Sequence, residues 1–429
     1  MPRSTLYVCY FGLRQPLVQT QVLPYLREVA ADGWSVTLLT FEPGWPADFP
    51  DAEQLARREA LARDGIAWHA HPYTKSHGIA AKAKDIATGL HTARRLAREK
   101  KAGVIHGRAH VGTAIACLAA ATLRHRPRVL FDIRGFNPEE SVDAGRWTES
   151  GAKFRLLKRA ERAMLRAASG FVILTEAGRA AMFPNAVPDD GPEAWRLPDG
   201  RPVQVIPCCV DAARFAQPAD AAESAQRLKQ ELGLADSSRI VVHLGALGGS
   251  YPEDRIVALF RAIHFDDPHT GFLILSQTET ALFRKLYAEA GLPENRLWTG
   301  RADAADVARY LAVADWGLSL KREHYAQLAC SPTKVPEYLL AGLPVLASRR
   351  IGDTDDIVTR NRVGVVFDAW DDAGLPAAVA AMNALSTEPD IAQRCRNAAL
   401  ERFDLKSVGG PRYRSVYSRL ERSASAGER

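Results

Sequence analysis

The six cysteines of this 429-residue chain form no CxxC pair, and two of them, Cys208 and Cys209, are adjacent. That pattern fits neither a zinc site nor a disulfide framework, and it points to a reducing, cytoplasmic setting. Long apolar runs are missing as well. The longest, VGTAIACLAAATL from Val111 to Leu123, is too short to span a bilayer and reads as a buried helix. The opening MPRSTLYVCYFGL has one arginine followed by a strand-like run, without a small-residue cleavage site, so it does not read as a signal peptide. No helix-turn-helix, zinc-finger or RNP-like aromatic pattern accompanies the basic residues, which argues against a nucleic-acid partner.

Charge is unevenly shared. Residues 1–210 carry 29 Lys+Arg against 21 Asp+Glu, whereas the remainder carries 27 against 29. A basic first half and a near-neutral second half imply different partners.

Apolar strand-like runs alternate with helical stretches throughout, the signature of parallel sheets covered by helices. TLYVCYFG, SVTLLTFE, GVIHGRA, RVLFDIRG, GFVILT and VQVIP form one series, with a helix from about Gln19 to Asp32 after the first. RIVVHLG, GFLILSQ, RLWTG, WGLSL, PVLAS and GVVFD form the second. Residues 183–202, rich in Pro, Gly and Asp, read as a surface excursion. The expected class is α/β, with two doubly wound Rossmann-like domains facing a central cleft. They span residues 1–209 and 210–400, followed by a C-terminal helix and polar tail over 401–429 that returns toward the first domain. In such folds ligands sit at the C-terminal ends of the strands.

Two segments there carry chemistry. In HLGALGGSYPED, Gly248 and Gly249 permit a sharp turn and close approach of the backbone to a ligand. In SPTKVPEYLLAGLPVLAS, Pro336 sets the helix start: with Thr333 as N-cap the proline falls in the first turn, where its missing N–H costs nothing. The amides of Lys334 and Val335, the Thr333 hydroxyl and the Lys334 ammonium then converge on a diphosphate-sized anion site. Glu337 either complements the helix dipole or accepts the two hydroxyls of a ribose one turn further on.

SPTKVPEYLLAGLPVLAS resembles the donor-binding signature of GT-B glycosyltransferases, in particular the retaining family 4 group. LGALGGSYPE, VIPCCVDAARF, GRADAADVARYLAVADWGLSL and RQPLVQTQVLPYLREVAADGWSVTLLTFE match that group in order and spacing, so the resemblance covers nearly the whole chain. It implies a nucleotide-sugar-dependent transferase for polysaccharide, lipopolysaccharide or other glycoconjugate synthesis. Glu337 would bind the nucleotide ribose, Lys334 and Lys321 would neutralise the diphosphate, and the Gly248–Gly249 loop would lie beside phosphates and sugar. Base contacts would come from Thr299 to Arg301. The donor is expected to be a UDP- or GDP-sugar, without a metal or other cofactor. Many members carry a second Glu eight positions before the first; here Ala329 stands there, leaving the sugar hydroxyls to Ser331 and the backbone around Cys330. No cation lies inside the loop before Tyr251, a gap for Lys321, Arg322 or Arg255 to fill.

The first domain is expected to hold a glycan or lipid-linked acceptor. VIHGRAH and FDIRGFNPEE leave apolar strands and end in charge, marking Arg108, His110, Asp132 and Arg134. Asp132 would orient the acceptor hydroxyl or the donor sugar, and Arg134 would face the diphosphate or an acidic acceptor; the alternative is a buried ion pair of Asp132 with Arg134 or Arg108. His106 and His110 have zinc-like spacing but no third ligand nearby. Gly12 would either leave room for the donor or make a simple turn.

Two other functions fit the same fold: a non-hydrolysing nucleotide-sugar epimerase and a catalytically silent nucleotide-sugar-binding subunit. From Lys75 to Lys101 the chain has eight Lys+Arg against two acids. Ile79, Ile86, Leu90 and Leu96 line one side of this helix, and Arg94, Arg95, Arg98, Lys100 and Lys101 crowd its end. It reads as a solvated helix or as a peripheral contact with anionic lipid at the inner face of the membrane.

Overall fold

The computed structural model describes residues 2–74, 79–216 and 221–426. The chain divides into two compact units: Met1–Pro207 together with Val408–Arg429, and Cys208–Ser407.

The first unit is built on nine strands: β1 (Ser4–Cys9), β2 (Ser35–Pro43), β3 (Ile66–Tyr73), β4 (Val104–Arg108), β5 (Arg128–Ile133), β6 (Gly170–Ile173), β7 (Val187–Pro188), β8 (Ala194–Arg196) and β9 (Pro202–Val205). Their order is β3-β2-β1-β4-β5-β6-β9-β8-β7. All pairings are parallel except those of β7 with β8 and of β8 with β9. The central strands are buried on both faces, which is why they read as continuous apolar runs rather than alternating ones. Helices α1 (Leu23–Ala31), α2 (Ile79–Glu99), α3 (Ala109–Ala121) and α4 (Ala152–Ala167) follow β1, β3, β4 and β5 respectively.

The second unit holds β10 (Arg239–Leu244), β11 (Thr270–Leu275), β12 (Leu297–Gly300), β13 (Trp316–Ser319), β14 (Val345–Ser348) and β15 (Gly364–Phe367) in the order β12-β11-β10-β13-β14-β15, all parallel. Strand order reverses between β10 and β13, so the crevice favoured for ligands lies beyond their C-terminal ends. Helix α5 (Lys334–Ala341) packs beside it. Gly317 on β13 lets the Tyr338 ring come close, because a Cβ there would lie 2.4 Å from that ring. The Tyr338 hydroxyl accepts from the Leu244 N–H at 2.7 Å and donates to the Leu318 carbonyl at 3.2 Å. One buried side chain thereby pins α5 to the ends of both strands. Gly342, at φ +86°, ends the helix in the left-handed conformation that only glycine adopts without strain. Helix α6 (Ile391–Phe403) packs on α5, and α7 (Gly410–Ala426) covers part of the first unit against α1, β6 and β9.

Three local differences from the sequence reading have physical causes. The helix expected from Gln19 to Asp32 is two helices broken at Val22, just before Pro24. Strand β3, IAWHAHPY, is not legible in the sequence because His69, His71 and Pro72 mask its apolar periodicity. Residues 183–202 contain the short antiparallel strands β7 and β8, which extend the sheet edge.

Candidate active site

The second unit concentrates charge at its strand-order reversal. Thr333 is the N-cap of α5, with no side-chain capping bond, and Pro336 is the third helical residue. Lys334, at the first helical position, is only 4% exposed, and its Nζ has no hydrogen-bond partner. It sits over the ring of Tyr251, whose centroid lies 4.5 Å away. The Nζ of Lys321, beyond the end of β13, lies 5.2 Å from the same ring and donates to Cys330 Sγ at 3.1 Å.

The glycine loop positions that ring. Gly248 and Gly249 have φ values of +80° and +60°, and Gly248 and Tyr251 exchange backbone hydrogen bonds of 2.9 and 3.0 Å across a tight turn. Gly245 (φ +116°) runs directly past Lys334, where a Cβ would stand 3.4 Å from Nζ. Burial, reinforced by the like charge of Lys321, pushes the Lys334 ammonium down to about 7. Two cations gathered around one ring, one of them buried without an acceptor, form a site that an anion would complete.

Glu337 lies one turn into α5 and is also buried. Burial pushes its carboxyl up to about 7, against the opposing pull of Arg214 and Lys334. Arg214 Nη1 stands 3.8 Å from Glu337 Oε1, and its Nη2 donates to the Ala304 carbonyl. The segment VIPCCVDAARF does not by itself mark Arg214 for this role. Its only signal was a cation in the 3-10 turn Ala212–Phe215, which Asp211 caps by accepting from the Ala213 N–H at 3.0 Å.

The other expected donor residues scatter. Thr333 and Ser331 are half-buried near the helix start, and the Ser331 hydroxyl accepts from the Cys208 N–H at 3.1 Å. Arg301 follows edge strand β12, where it is exposed and paired with Glu279 at 3.1 Å. Arg255 is held by Asp372 and the Ala369 carbonyl, and Arg322 lies 5.3 Å from the Trp370 ring. Ala329 is fully buried.

In the first unit, Arg108 and Asp132 lie inside the core instead of at an open strand end. Asp132 is fully buried, and its Oδ2 is within 3.3 to 3.7 Å of the Tyr413 and Tyr7 hydroxyls, Arg108 Nη1 and His106 Nε2. Its Oδ1 is 3.5 Å from Arg134 Nη1. Desolvation opposes ionisation here, but Arg134, His106 and Arg108 overcome it and hold the carboxyl well below its ordinary value. The expected orienting carboxylate is therefore the hub of a buried ion-pair network, with Tyr413 of α7 closing over it. Arg134 is the group of this cluster nearest the surface, at 9% side-chain exposure.

His110 is likewise enclosed. Asn137 Nδ2 lies 2.8 Å from its Nδ1, and its Nε2 is 3.2 Å from Glu161, which Lys158 also pairs. The space at Gly12 is filled rather than open: a Cβ there would lie 2.7 Å from the buried Glu42 carboxylate. Glu42 accepts from the Leu13 N–H at 2.7 Å and so ties down the loop after β1. Among the described residues no three His, Cys, Asp or Glu side chains are grouped as a metal site would need.

Residues 18–191 match the family described as Glycosyl transferase 4-like domain. No curated protein sequence matches the chain. Among solved structures, sucrose-phosphate synthase from Thermosynechococcus elongatus is similar at a TM-score of 0.71 and 15% identity, over 98% of this chain and 99% of that one. HepE from Anabaena, solved in complex with UDP and glucose, is similar at 0.62 and 14% identity over the full length of both chains. WaaG, a glycosyltransferase involved in lipopolysaccharide biosynthesis, is similar at 0.59 and 18% identity, over 96% of this chain and 98% of that one. At these identities the likeness establishes a shared fold.

Proposed function

We propose that this chain, a glycosyltransferase by its 4-like domain and its GT-B fold, draws its sugar from a nucleotide-diphosphate donor and transfers it with retention. One observation carries the reading: the buried, unpartnered Lys334 ammonium at the head of α5, with Lys321 over the same ring and Glu337 one turn on. The donor diphosphate supplies the anion that Lys334 lacks. Charge accumulates on that diphosphate as the glycosidic C1–O bond breaks, so cations preorganised in a buried site stabilise the transition state more than the ground state. Glu337, kept in place by Arg214, accepts the ribose hydroxyls.

Transfer then breaks the bond from C1 to the diphosphate oxygen and forms the bond from C1 to the acceptor oxygen on the same face. The acceptor proton passes to the departing diphosphate. No metal is needed for charge neutralisation, and no protein base is required. In the first unit Asp132 is a positioning residue that acts through Arg134, its neighbour closest to the surface. The acceptor is a glycan or lipid-linked saccharide of polysaccharide, lipopolysaccharide or related glycoconjugate synthesis.

HepE is solved with UDP-glucose, which makes UDP-sugars the first donors to test. Release of UDP or GDP should rise when the right donor and an acceptor saccharide are both present. Epimerisation of the donor without release, or binding without turnover across the donor panel, would replace this reading with one of its rivals.

A further inference from the structure

Helix α4 has an outer face that the fold leaves unused. It carries six Lys or Arg and a single acid, Glu161, which is buried and engaged by His110 and Lys158. With Met164, Glu161 faces inward and fixes which side of the helix docks on the unit. On the opposite side Arg155, Arg159, Arg162 and Arg166 recur at helical spacing and form a stripe about 16 Å long. Lys153 and these four arginines are exposed, and no acidic side chain pairs with any of them among the described residues. Beside the stripe Leu156 is 65% exposed, flanked by exposed Ala152, Ala160 and Ala163.

Helix α2, whose segment the sequence singled out as basic, is built differently. Leu96 is buried, and Ile86 and Leu90 are half-buried against the unit, so its apolar side is already occupied. Arg95 pairs with Glu99 at 3.4 Å, and among the described side chains of this helix no large apolar residue is exposed on the outer face. Lys75 lies outside the described residues.

We propose that the Arg155–Arg166 face of α4 is a peripheral docking surface for anionic lipid. Cations alone would suit any polyanion. The exposed leucine and alanines among them favour an interface with both phosphate headgroups and hydrocarbon, and no fully exposed aromatic ring stands on this face to stack a nucleic-acid base. This goes beyond the donor chemistry and rests on the proposed function only for its purpose, which is to hold the transferase where lipid-linked acceptors reside.

The test uses the full-length protein with no donor present, so its outcome is independent of transfer. Co-sedimentation is measured on phosphatidylcholine vesicles with and without phosphatidylglycerol. Binding is expected on the anionic vesicles alone, to weaken in moderate salt, and to persist in inorganic phosphate at equal ionic strength. The triple variant Arg155→Glu, Arg159→Glu, Arg162→Glu should bind at least a hundredfold less well, from about 1 kcal/mol per cation lost together with the repulsion of three new carboxylates. Leu156→Ser should lose several-fold with every charge retained. The matched α2 variant Arg94→Glu, Arg95→Glu, Arg98→Glu should bind nearly as wild type, and circular dichroism should show all variants folded. Absent binding, equal binding to neutral vesicles, an unaffected α4 variant or an equal loss in the α2 variant would each overturn the proposal.

Discussion

Donor binding should peak near pH 7 and fall on both sides, because Lys334 and Glu337 are both displaced to about 7 from opposite directions. Lys334 must be an ammonium to meet the diphosphate. At pH 8 only about one nucleotide-free molecule in ten has it charged, so binding must import a proton at a cost of about 1.4 kcal/mol, or roughly tenfold in affinity. At pH 6 Glu337 is ionised in about one molecule in ten, and a carboxylate acceptor for the ribose is lost by a similar factor. UDP-glucose is the appropriate ligand, since its phosphates are already ionised across this range. Calorimetry in buffers of different ionisation enthalpy should register uptake of nearly one proton per donor at pH 8 and release at pH 6. Lys334→Ala should remove the alkaline limb and Glu337→Gln the acid limb, each at reduced affinity. A donor affinity flat from pH 6 to 9, with no proton exchange, would mean that neither Lys334 nor Glu337 meets the donor.

Arg214→Gln should move the acid limb to higher pH, since this cation lowers the Glu337 carboxyl against its burial; donor titrations at pH 6 and 8 read the shift. Lys334→Met should raise the melting temperature at pH 7 while weakening donor binding: the cost of charging the buried lysine is fully present below about pH 7, and it shrinks as pH rises toward the ordinary lysine range because the unfolded chain there binds more protons than the folded one. Asp132→Asn should lower the melting temperature together with activity, by about 3–5 kcal/mol of stability, because it leaves Arg108 and Arg134 buried without their carboxylate. Lost activity without the stability loss would return Asp132 to the orienting role expected from its strand-end position. Transfer should continue in EDTA, and strict dependence on Mg²⁺ or Mn²⁺ would contradict the assignment of charge neutralisation to lysines.

The strands were readable because parallel strands buried on both faces leave uninterrupted apolar runs, and β3 escaped because its two histidines broke the run. Lys334 and Glu337 stood out for the complementary reason: each places a charge in a segment that otherwise reads as core. The ring that gathers the lysines and the cation beside Glu337 were not legible, since Tyr251 and Arg214 reach α5 from distant parts of the chain. Asp132 shows the same limit from the other side. A carboxylate at a strand end looks identical in sequence whether it opens to ligand or is roofed by Tyr413, which arrives from the last helix.

We propose above that the head of α5 holds a nucleotide diphosphate through Lys334 and its ribose through Glu337. Isothermal titration of wild-type protein and Glu337→Gln with UDP, GDP and their sugar conjugates at pH 7 tests it most directly. One nucleotide series should bind saturably at one site, and the variant, folded as wild type, should bind it roughly tenfold to a hundredfold more weakly, as expected for loss of about 1.5–3 kcal/mol of charged hydrogen bonding. Equal affinity in both proteins, or no binding by any nucleotide, would contradict it.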